Sequence, residues 1–334
     1  MEDFCKLNNM PKVTVIVPVY GVEKYIERCA RSLFEQTLDD MEFIFVDDCS
    51  PDRSIEILER ILAEYPERQS QTHIIRLPEN GGLPHARKTG IEKATGEYII
   101  HCDSDDWVDV TMYEKLYNRA LEDDADMVVC DFFEARDDGN MVQKEQHLLS
   151  LSSMDLLGQL LLQQLHGSCC NKLVRSVCYH ENEIEYPTQN MHEDLVLTSQ
   201  LIYYSTKIVK VDEPLYYYFK NGQSISNGAV DLKKSMERLN QCVDNRKIIF
   251  RFLERRHLID KYEDAILLLK FSARSWLEPY LWKREIYRMW CGVYPEVDGT
   301  ILRCLHIPVR IKLHFCVCKL MLYPIYYKIR YGLR

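Results

Sequence analysis

The chain has 334 residues, 46% of them hydrophobic and 28% charged, with a formal net charge of −9. That length holds one large α/β domain with an appendage, or two domains, and the acidic balance argues against bulk nucleic-acid binding. The charge is uneven: residues 299–334 carry seven Lys or Arg and no Asp or Glu, which leaves −16 on the first 298.

Val13-Thr-Val-Ile-Val-Pro-Val-Tyr20 reads as a buried strand stopped by proline. Ile26, Cys29, Ala30, Leu33 and Phe34 then fall on one helical face. Glu42–Val46 is a second strand, ending in Asp47-Asp48-Cys49-Ser50; Ser50-Pro51 starts a helix carrying Ile55, Leu58, Ile61 and Leu62. His73–Leu77 is a third strand and Asn80-Gly81-Gly82 a turn. A helix over Pro84–Thr95 stops at Gly96. Thr111-x-x-Glu114 opens a helix as a capping box, and Asp126–Phe133 is a further strand. This rhythm predicts a mostly parallel central sheet flanked by helices. Residues 137–150 read as loop, Met154–Leu165 as a Leu-rich helix, Val209–Val211 and Leu215–Phe219 as strands, and Asp231–Glu285 as helical.

The chemistry concentrates at Tyr98-Ile-Ile-His-Cys-Asp103-Ser104-Asp105-Asp106, an apolar run ending in three carboxylates within four positions. Such carboxylates repel one another by a few kcal/mol at roughly 4 Å, and a hard divalent cation removes that repulsion. The alternative is a solvated acidic turn, with Asp106 or Thr111 capping the next helix. Glu193-Asp194 opens an apolar helix; locally, a charged first turn explains it, because the helix dipole favours acids there. Neither Gly-x-Gly-x-x-Gly nor Gly-x-x-x-x-Gly-Lys-[Ser/Thr] occurs, which argues against a dehydrogenase or a P-loop nucleotidase.

Taken in order, Pro-Val-Tyr, Asp-Asp-x-Ser, Asn-Gly-Gly with Arg87 and Gly90, Asp-Ser-Asp-Asp and Glu-Asp resemble glycosyltransferase family 2, inverting sugar-nucleotide transferases of GT-A fold. The similarity runs from about Val13 to Ser226. It implies a catalytic GT-A domain over 1–227, with a nucleotide-binding part at about 11–135 and an acceptor part at about 150–227. A helical extension over 228–298 and a basic apolar segment over 299–334 would follow. Pro18, Val19 and Tyr20 would line the base pocket, Asp47 would bond the base (uracil), and Arg87 would stand at the donor site. Asp103 and Ser104 would lie along ribose and diphosphate, Asp105 with Asp103 would hold Mn²⁺ or Mg²⁺, and Ser224 would sit in a loop that closes on the donor. Asp194 would be the general base, with Glu193 beside it. Asn171-Lys172-Leu173 resembles the segment preceding the acceptor side. Cys49 stands where glycine is frequent, Lys88 where asparagine is, Cys170 where tryptophan is, and Phe219 and Asn221 where arginines are. His192 reads as a first-turn surface residue.

The implied activity moves a sugar from a UDP-sugar to a hydroxyl on a glycan acceptor, with lipid-linked glycans among the candidates. The alternatives are a sugar-phosphate nucleotidyltransferase and a non-catalytic assembly subunit. The 13 Cys, an odd number with no Cys-x-x-Cys pair, and an N-terminus without a basic, then apolar, leader suggest reduced thiols in the cytoplasm. Cys169-Cys170 and Cys316-x-Cys318 lack the usual ligand spacing of zinc sites. Residues 301–334, interrupted by Lys319 and Pro324, suit a basic amphipathic segment in a membrane interface, at the inner face of the cell membrane, better than a span. Packing as ordinary core against the helices of 231–285 is the other reading.

Overall fold

The computed structural model describes residues 10–220, 231–305, 307–323 and 325. The chain forms two compact units, one of Met1–Leu160 with Leu165–Asn227 and one of Leu161–Gln164 with Gly228–Arg334.

The first unit is built on a nine-stranded sheet. Strands β1 (Val13–Val19), β2 (Met41–Asp47), β3 (Thr72–Arg76) and β4 (Tyr98–His101) are parallel, in spatial order β3-β2-β1-β4. Both faces of β1 and β2 are buried, which is why these strands are largely apolar; the buried Glu42 accepts from Thr14 Oγ1 of the neighbouring strand at 2.5 Å. The helices Ile26–Phe34 and Ser54–Leu62 pack in one core with Val13, Val15, Val17, Phe43 and Phe45. The alternate residues Ile44 and Val46 meet Ala86 of the Leu83–Lys93 helix on the opposite face. That helix lies directly on β1: a Cβ at Gly90 would sit 2.4 Å from Ile16 Cγ2.

Beyond β4 the sheet becomes mixed. β5 (Trp107–Val108), β6 (Met127–Arg136), β7 (Met141–Lys144), β8 (Lys172–Arg175) and β9 (Ile208–Lys220) complete it. β8 is antiparallel to β4 and to β6, β6 is parallel to β9, and β5 and β7 are antiparallel additions to β9 and β6. β7 lies in the stretch expected as loop. A turn at Asp138-Gly139-Asn140, with Gly139 at φ +79°, sends the chain back along β6. The two strands expected at 209–211 and 215–219 are one strand with an irregularity: Cys130 pairs Val211, whereas Asp131 pairs Pro214. Pro214 has no N–H to donate, so the ladder breaks and resumes around it.

The capping box at Thr111 is not made. The helix does begin at Met112, but Thr111 Oγ1 donates to Asp109 Oδ1 and Glu114 accepts from Thr37 Oγ1. A tertiary partner outcompetes the local one.

The second unit is helical. Leu232–Arg255, Glu263–Ala273, a 3₁₀ segment at Arg274–Tyr280, Arg284–Gly292, Val297–Thr300 and Val309–Lys319 follow one another. They share a core of Leu239, Leu268, Phe271, Leu277, Trp290, Ile301, Phe315 and Cys318, among others. Arg274 is buried there with its charge matched by Asp298 Oδ1 at 2.6 Å and by the carbonyls of Val293 and Tyr294.

Candidate active site

Because β2, β1 and β4 are parallel neighbours, the acid clusters after β2 and β4 come to the same edge of the sheet, the carboxyl edge where open α/β sheets bind ligands. Asp47 accepts from the Ser50 N–H at 2.8 Å. Between them Cys49 adopts φ +59°, so the turn carries a side chain in a conformation that favours glycine. Asp48 reaches across to the Asn80-Gly81-Gly82 turn and accepts from the Gly81 and Gly82 N–H groups at 2.7 and 2.9 Å. Gly82 sits at φ +83°, and a Cβ there would lie 2.9 Å from Asn190 Oδ1, which itself accepts from the Leu83 N–H. Asp48 and Asn190 therefore fix the start of the Leu83–Lys93 helix, which carries Arg87.

Arg87 is the centre of the site. It is 2% exposed, and its guanidinium meets Asp103 Oδ1 at 2.8 Å, Glu193 Oε1 at 2.9 Å and Asp194 Oδ1 at 3.5 Å. One cation thus gathers the end of β4, with Asp103 16 residues on, and the first turn of the Glu193–Tyr204 helix, about 107 residues on. Burial opposes its charge, but Glu193, Asp103 and Asp194 hold it protonated well above the usual range. The same environment drives the two acids apart. Burial pushes Glu193 well above the carboxylate range. Burial also acts to raise Asp194, but Arg87 and a hydrogen bond with Glu193 outweigh it and hold Asp194 below that range. The two carboxyls are thus pushed in opposite directions, the arrangement expected where acid and base roles are separated. Behind them, burial and Arg87 push His101 well below the histidine range, so it is neutral.

The acidic turn itself is built by tertiary contacts. Asp106 is buried and faces inward; its carboxylate accepts from Tyr216 Oη and from the Phe219 N–H at 2.7 Å. Tyr216 Oη also accepts from the Asp103 N–H at 3.2 Å, so one phenol ties both ends of the turn to β9. Burial, then Asp105 and Asp103, push the Asp106 carboxyl well up. Arg28 donates to the Asp105 carbonyl at 2.9 Å, with its guanidinium 3.7 Å from the Trp107 ring centroid and 4.4 Å from that of Phe219. Asp106 is therefore neither the helix cap nor the solvated acid of the simpler sequence reading: it is an internal anchor.

Among the other expected residues, Pro18 and Val19 are buried and Tyr20 is 52% exposed. Ser104 is buried, and Asp103 and Asp105 are half-buried. His192 is exposed at φ +59°, immediately before the Glu193–Tyr204 helix. Ser224 and Asn221 lie outside the described residues. Lys172 is buried, its ammonium donating to the His166 and Ser168 carbonyls at 2.8 Å and to Asn171 Oδ1 at 2.9 Å. Burial pulls it down to about 8. The loop it holds is tied to the Glu193–Tyr204 helix by Thr198, which donates to the Gly167 carbonyl at 2.8 Å. Asp48 and Asp106 were read within the acid clusters but without their partners, and Asn190, Tyr216, Arg28 and the buried state of Lys172 were not foreseen as parts of this site. Only Tyr216 leaves a local trace, on the inward register of an alternating strand.

With this geometry in place, the comparisons are informative. The sequence profile described as "Glycosyl transferase family 2" matches residues 14–181. The chain belongs to glycosyltransferase family 2. Similar proteins include the cholesterol galactosyltransferase of Borreliella burgdorferi, 32% identical over 244 residues, which are 69% of this chain and 66% of that one. The poly(ribitol-phosphate) beta-glucosyltransferase of Bacillus spizizenii is 31% identical over 317 residues, 90% of this chain and 48% of that one. The uncharacterized glycosyltransferase EpsJ of Bacillus subtilis is 43% identical over 129 residues, 39% of this chain and 36% of EpsJ. The alignments of the first three curated relatives span 36%, 60% and 64% of their lengths. Among solved structures, S. aureus TarS 1-349 in complex with UDP-GlcNAc superposes with a TM-score of 0.58 at 19% identity, covering 96% of this chain and 92% of that one. The mannosyltransferase PcManGT from Pyrobaculum calidifontis, in complex with GDP-Man and Mn²⁺, gives 0.55 at 16%, covering 96% and 87%. At such identities the likeness establishes the GT-A fold alone.

Proposed function

We propose that this family 2 chain is an inverting glycosyltransferase that moves a sugar from a UDP-sugar to a hydroxyl of a glycan acceptor. The observation that carries the reading is the Arg87 cluster, which brings an ionised Asp194 and the donor-side Asp103 onto one guanidinium. An acceptor hydroxyl is a poor nucleophile, and a carboxylate held ionised can take its proton as the new bond forms. Glu193, paired with Arg87 and Asp194, fixes that carboxylate's position and protonation state. A single displacement inverts the anomeric carbon and needs no enzyme nucleophile. On the donor side, exposed Tyr20 and buried Asp47 are assigned to the base, Ser104 to the ribose and diphosphate, and Ser224 to the loop beyond the described residues. Pro18 and Val19, being buried, would shape that pocket from behind.

Asp105 and Asp103 fit a divalent cation. They stand half-buried at the strand end, Asp106 is turned away onto Tyr216, and burial with neighbouring Asp194 raises Asp103 even beside Arg87. When bound, Mn²⁺ or Mg²⁺ would neutralise the departing diphosphate. Asp105→Asn should weaken UDP binding in the presence of Mn²⁺ and have little effect without it. Calorimetry of UDP with and without Mn²⁺ checks this; UDP affinity independent of metal in the unmodified chain would overturn the metal assignment.

The nucleotidyltransferase alternative needs free N–H groups in a phosphate-binding loop after β1. Here the Gly21, Val22 and Glu23 N–H groups donate to Ser50, Ser54 and Asp52 side chains at 2.9, 3.0 and 2.9 Å. Those donors are already committed. Hydrolysis of a UDP-sugar by the chain would in turn exclude the non-catalytic alternative.

A second partner proposed for this chain is an anionic membrane surface, contacted through residues 301–334 and suited to a lipid-linked acceptor. No helix among the described residues is long and apolar enough to cross a membrane. Ile301, Ile307, Phe315 and Cys318 are buried, while Leu302, Leu305, Val309, Leu313, Leu320 and Ile325 are exposed, Leu305 by 89%. So much exposed apolar surface on a segment with cations and no acids supports lipid docking. Each Lys or Arg near the surface would add about 1 kcal/mol. Because the buried face belongs to a core, point variants are better tests than truncation. Leu305→Glu with Leu313→Glu should abolish co-sedimentation with anionic liposomes at low salt. If the unmodified chain stays in the supernatant, or the variant pellets equally, the docking proposal is wrong.

A further inference from the structure

The helical unit holds a cluster that the transfer reaction does not use. Glu278 lies in the Arg274–Tyr280 segment, and His314 and Cys318 lie four residues apart, hence on one face of the Val309–Lys319 helix. His314 Nε2 is 3.0 and 3.1 Å from the two Glu278 carboxylate oxygens and 3.7 Å from Cys318 Sγ. One donor atom from each residue lies within 4.8 Å of the other two. Zinc bonds of 2.0–2.3 Å in tetrahedral geometry set neighbouring donor atoms about 3.3–3.7 Å apart, so the two edges that meet at His314, 3.0 and 3.7 Å, are close to the required dimensions.

We propose that Glu278, His314 and Cys318 form a zinc site that fastens the Val309–Lys319 helix to the core of this unit, with water completing the tetrahedron. An imidazolium–carboxylate pair alone would account for His314 and Glu278. It does not account for a buried thiol converging on the same nitrogen, nor for three different ligand types drawn from two segments. The surroundings suit a structural ion. The His314 ring lies 5.7 Å from Phe271 and 5.2 Å from Tyr323, and Cys318 is fully buried. The Cys318 side of the site is therefore apolar, whereas the His314 side chain is 32% exposed and leaves access for the water. Without metal the Cys318 thiol is pushed up by burial and by Glu278, so it holds its proton. Glu278, through its hydrogen bond, likewise raises His314. Binding releases the Cys318 thiol proton to solvent and leaves one dication facing one thiolate, one carboxylate and one neutral imidazole bound through Nε2, with its ring proton on Nδ1. Affinity should therefore rise with pH. Sequence spacing hides the set, because Cys316 is not part of it and Glu278 joins from 36 residues upstream.

The test is titration of the full chain, after chelator treatment, with Co²⁺ as the spectroscopic probe and then Zn²⁺. The expected result is one equivalent of thiolate-bound cobalt, seen as a ligand-to-metal charge-transfer band, displaced by Zn²⁺ and lost in Cys318→Ser. Zn²⁺ should raise the melting temperature of the unmodified chain and leave that of Cys318→Ser unchanged. Far-UV circular dichroism and a cooperative thermal transition report that the variant is folded; if Cys318→Ser does not fold, His314→Gln carries the same comparison. Absence of a thiolate band in the folded unmodified chain, or an unaltered band in a folded variant, would overturn the proposal.

Discussion

Asp194→Asn is expected to lower the rate of sugar transfer by roughly 10²–10⁴-fold, the usual contribution of a positioned general base, while UDP binding is retained. The substitution keeps shape and removes the charge that accepts the proton. Arg87 keeps Glu193 at 2.9 Å and Asp103 at 2.8 Å, so the structural cost is limited to the lost 3.5 Å pairing with the Asp194 charge and the loss of one acid from a helix first turn. The pH profile separates catalysis from capping. A base that must be ionised loses activity as pH falls through its own pKa. Arg87, against the opposing effect of burial, holds Asp194 below the ordinary carboxylate range. The acidic limb of kcat/KM should therefore lie below that range in the unmodified enzyme and vanish from the residual activity of Asp194→Asn. A variant that transfers sugar at the unmodified rate would make Asp194 a first-turn acid and nothing more.

The contrast between what could and could not be read from the sequence follows interaction range. β1, β2 and β4 were legible because strands buried on both faces must be largely apolar, and their acid endings were legible because no buried strand tolerates such a run. Arg87 and Glu193-Asp194 could be placed by motif order but not joined: their contact spans more than 100 residues. Asp106 looked like a helix cap because its partners, Tyr216 and the Phe219 N–H, arrive from β9, 110 and 113 residues later. The partners of Asp48 were hidden for the same reason, being backbone N–H groups 33 and 34 residues on. The missed β7 is different. Asp138-Gly139-Asn140 is a recognisable hairpin turn, and the surrounding polar residues obscured it because β7 is largely exposed, so no apolar alternation was required.

Replacing Arg87 should affect the fold as strongly as Asp194 affects the rate. Arg87→Gln leaves Asp103, Glu193 and Asp194 together without their shared cation, in a site where Arg87 and Glu193 are almost fully buried. Breaking a buried pair by removing one partner typically costs about 3–5 kcal/mol, a large fraction of a domain's stability. The sign of the pH dependence distinguishes this from ordinary loss of packing. Glu193 and Asp103 are raised by burial even with Arg87 present, and without it all three carboxyls move further up. A carboxyl whose folded pKa exceeds its unfolded value binds more protons in the folded state, so its stability penalty shrinks as pH falls. Denaturant unfolding of Arg87→Gln should therefore show a smaller deficit, relative to the unmodified chain, at pH 5 than at pH 7.5. Asp194→Asn in the same background should recover part of the loss at pH 7.5, because it removes the charge that Arg87 held ionised. A deficit that is the same at both pH values, or a double variant no more stable than Arg87→Gln, would mean that Arg87 contributes by filling space and that the three acids are held by other groups.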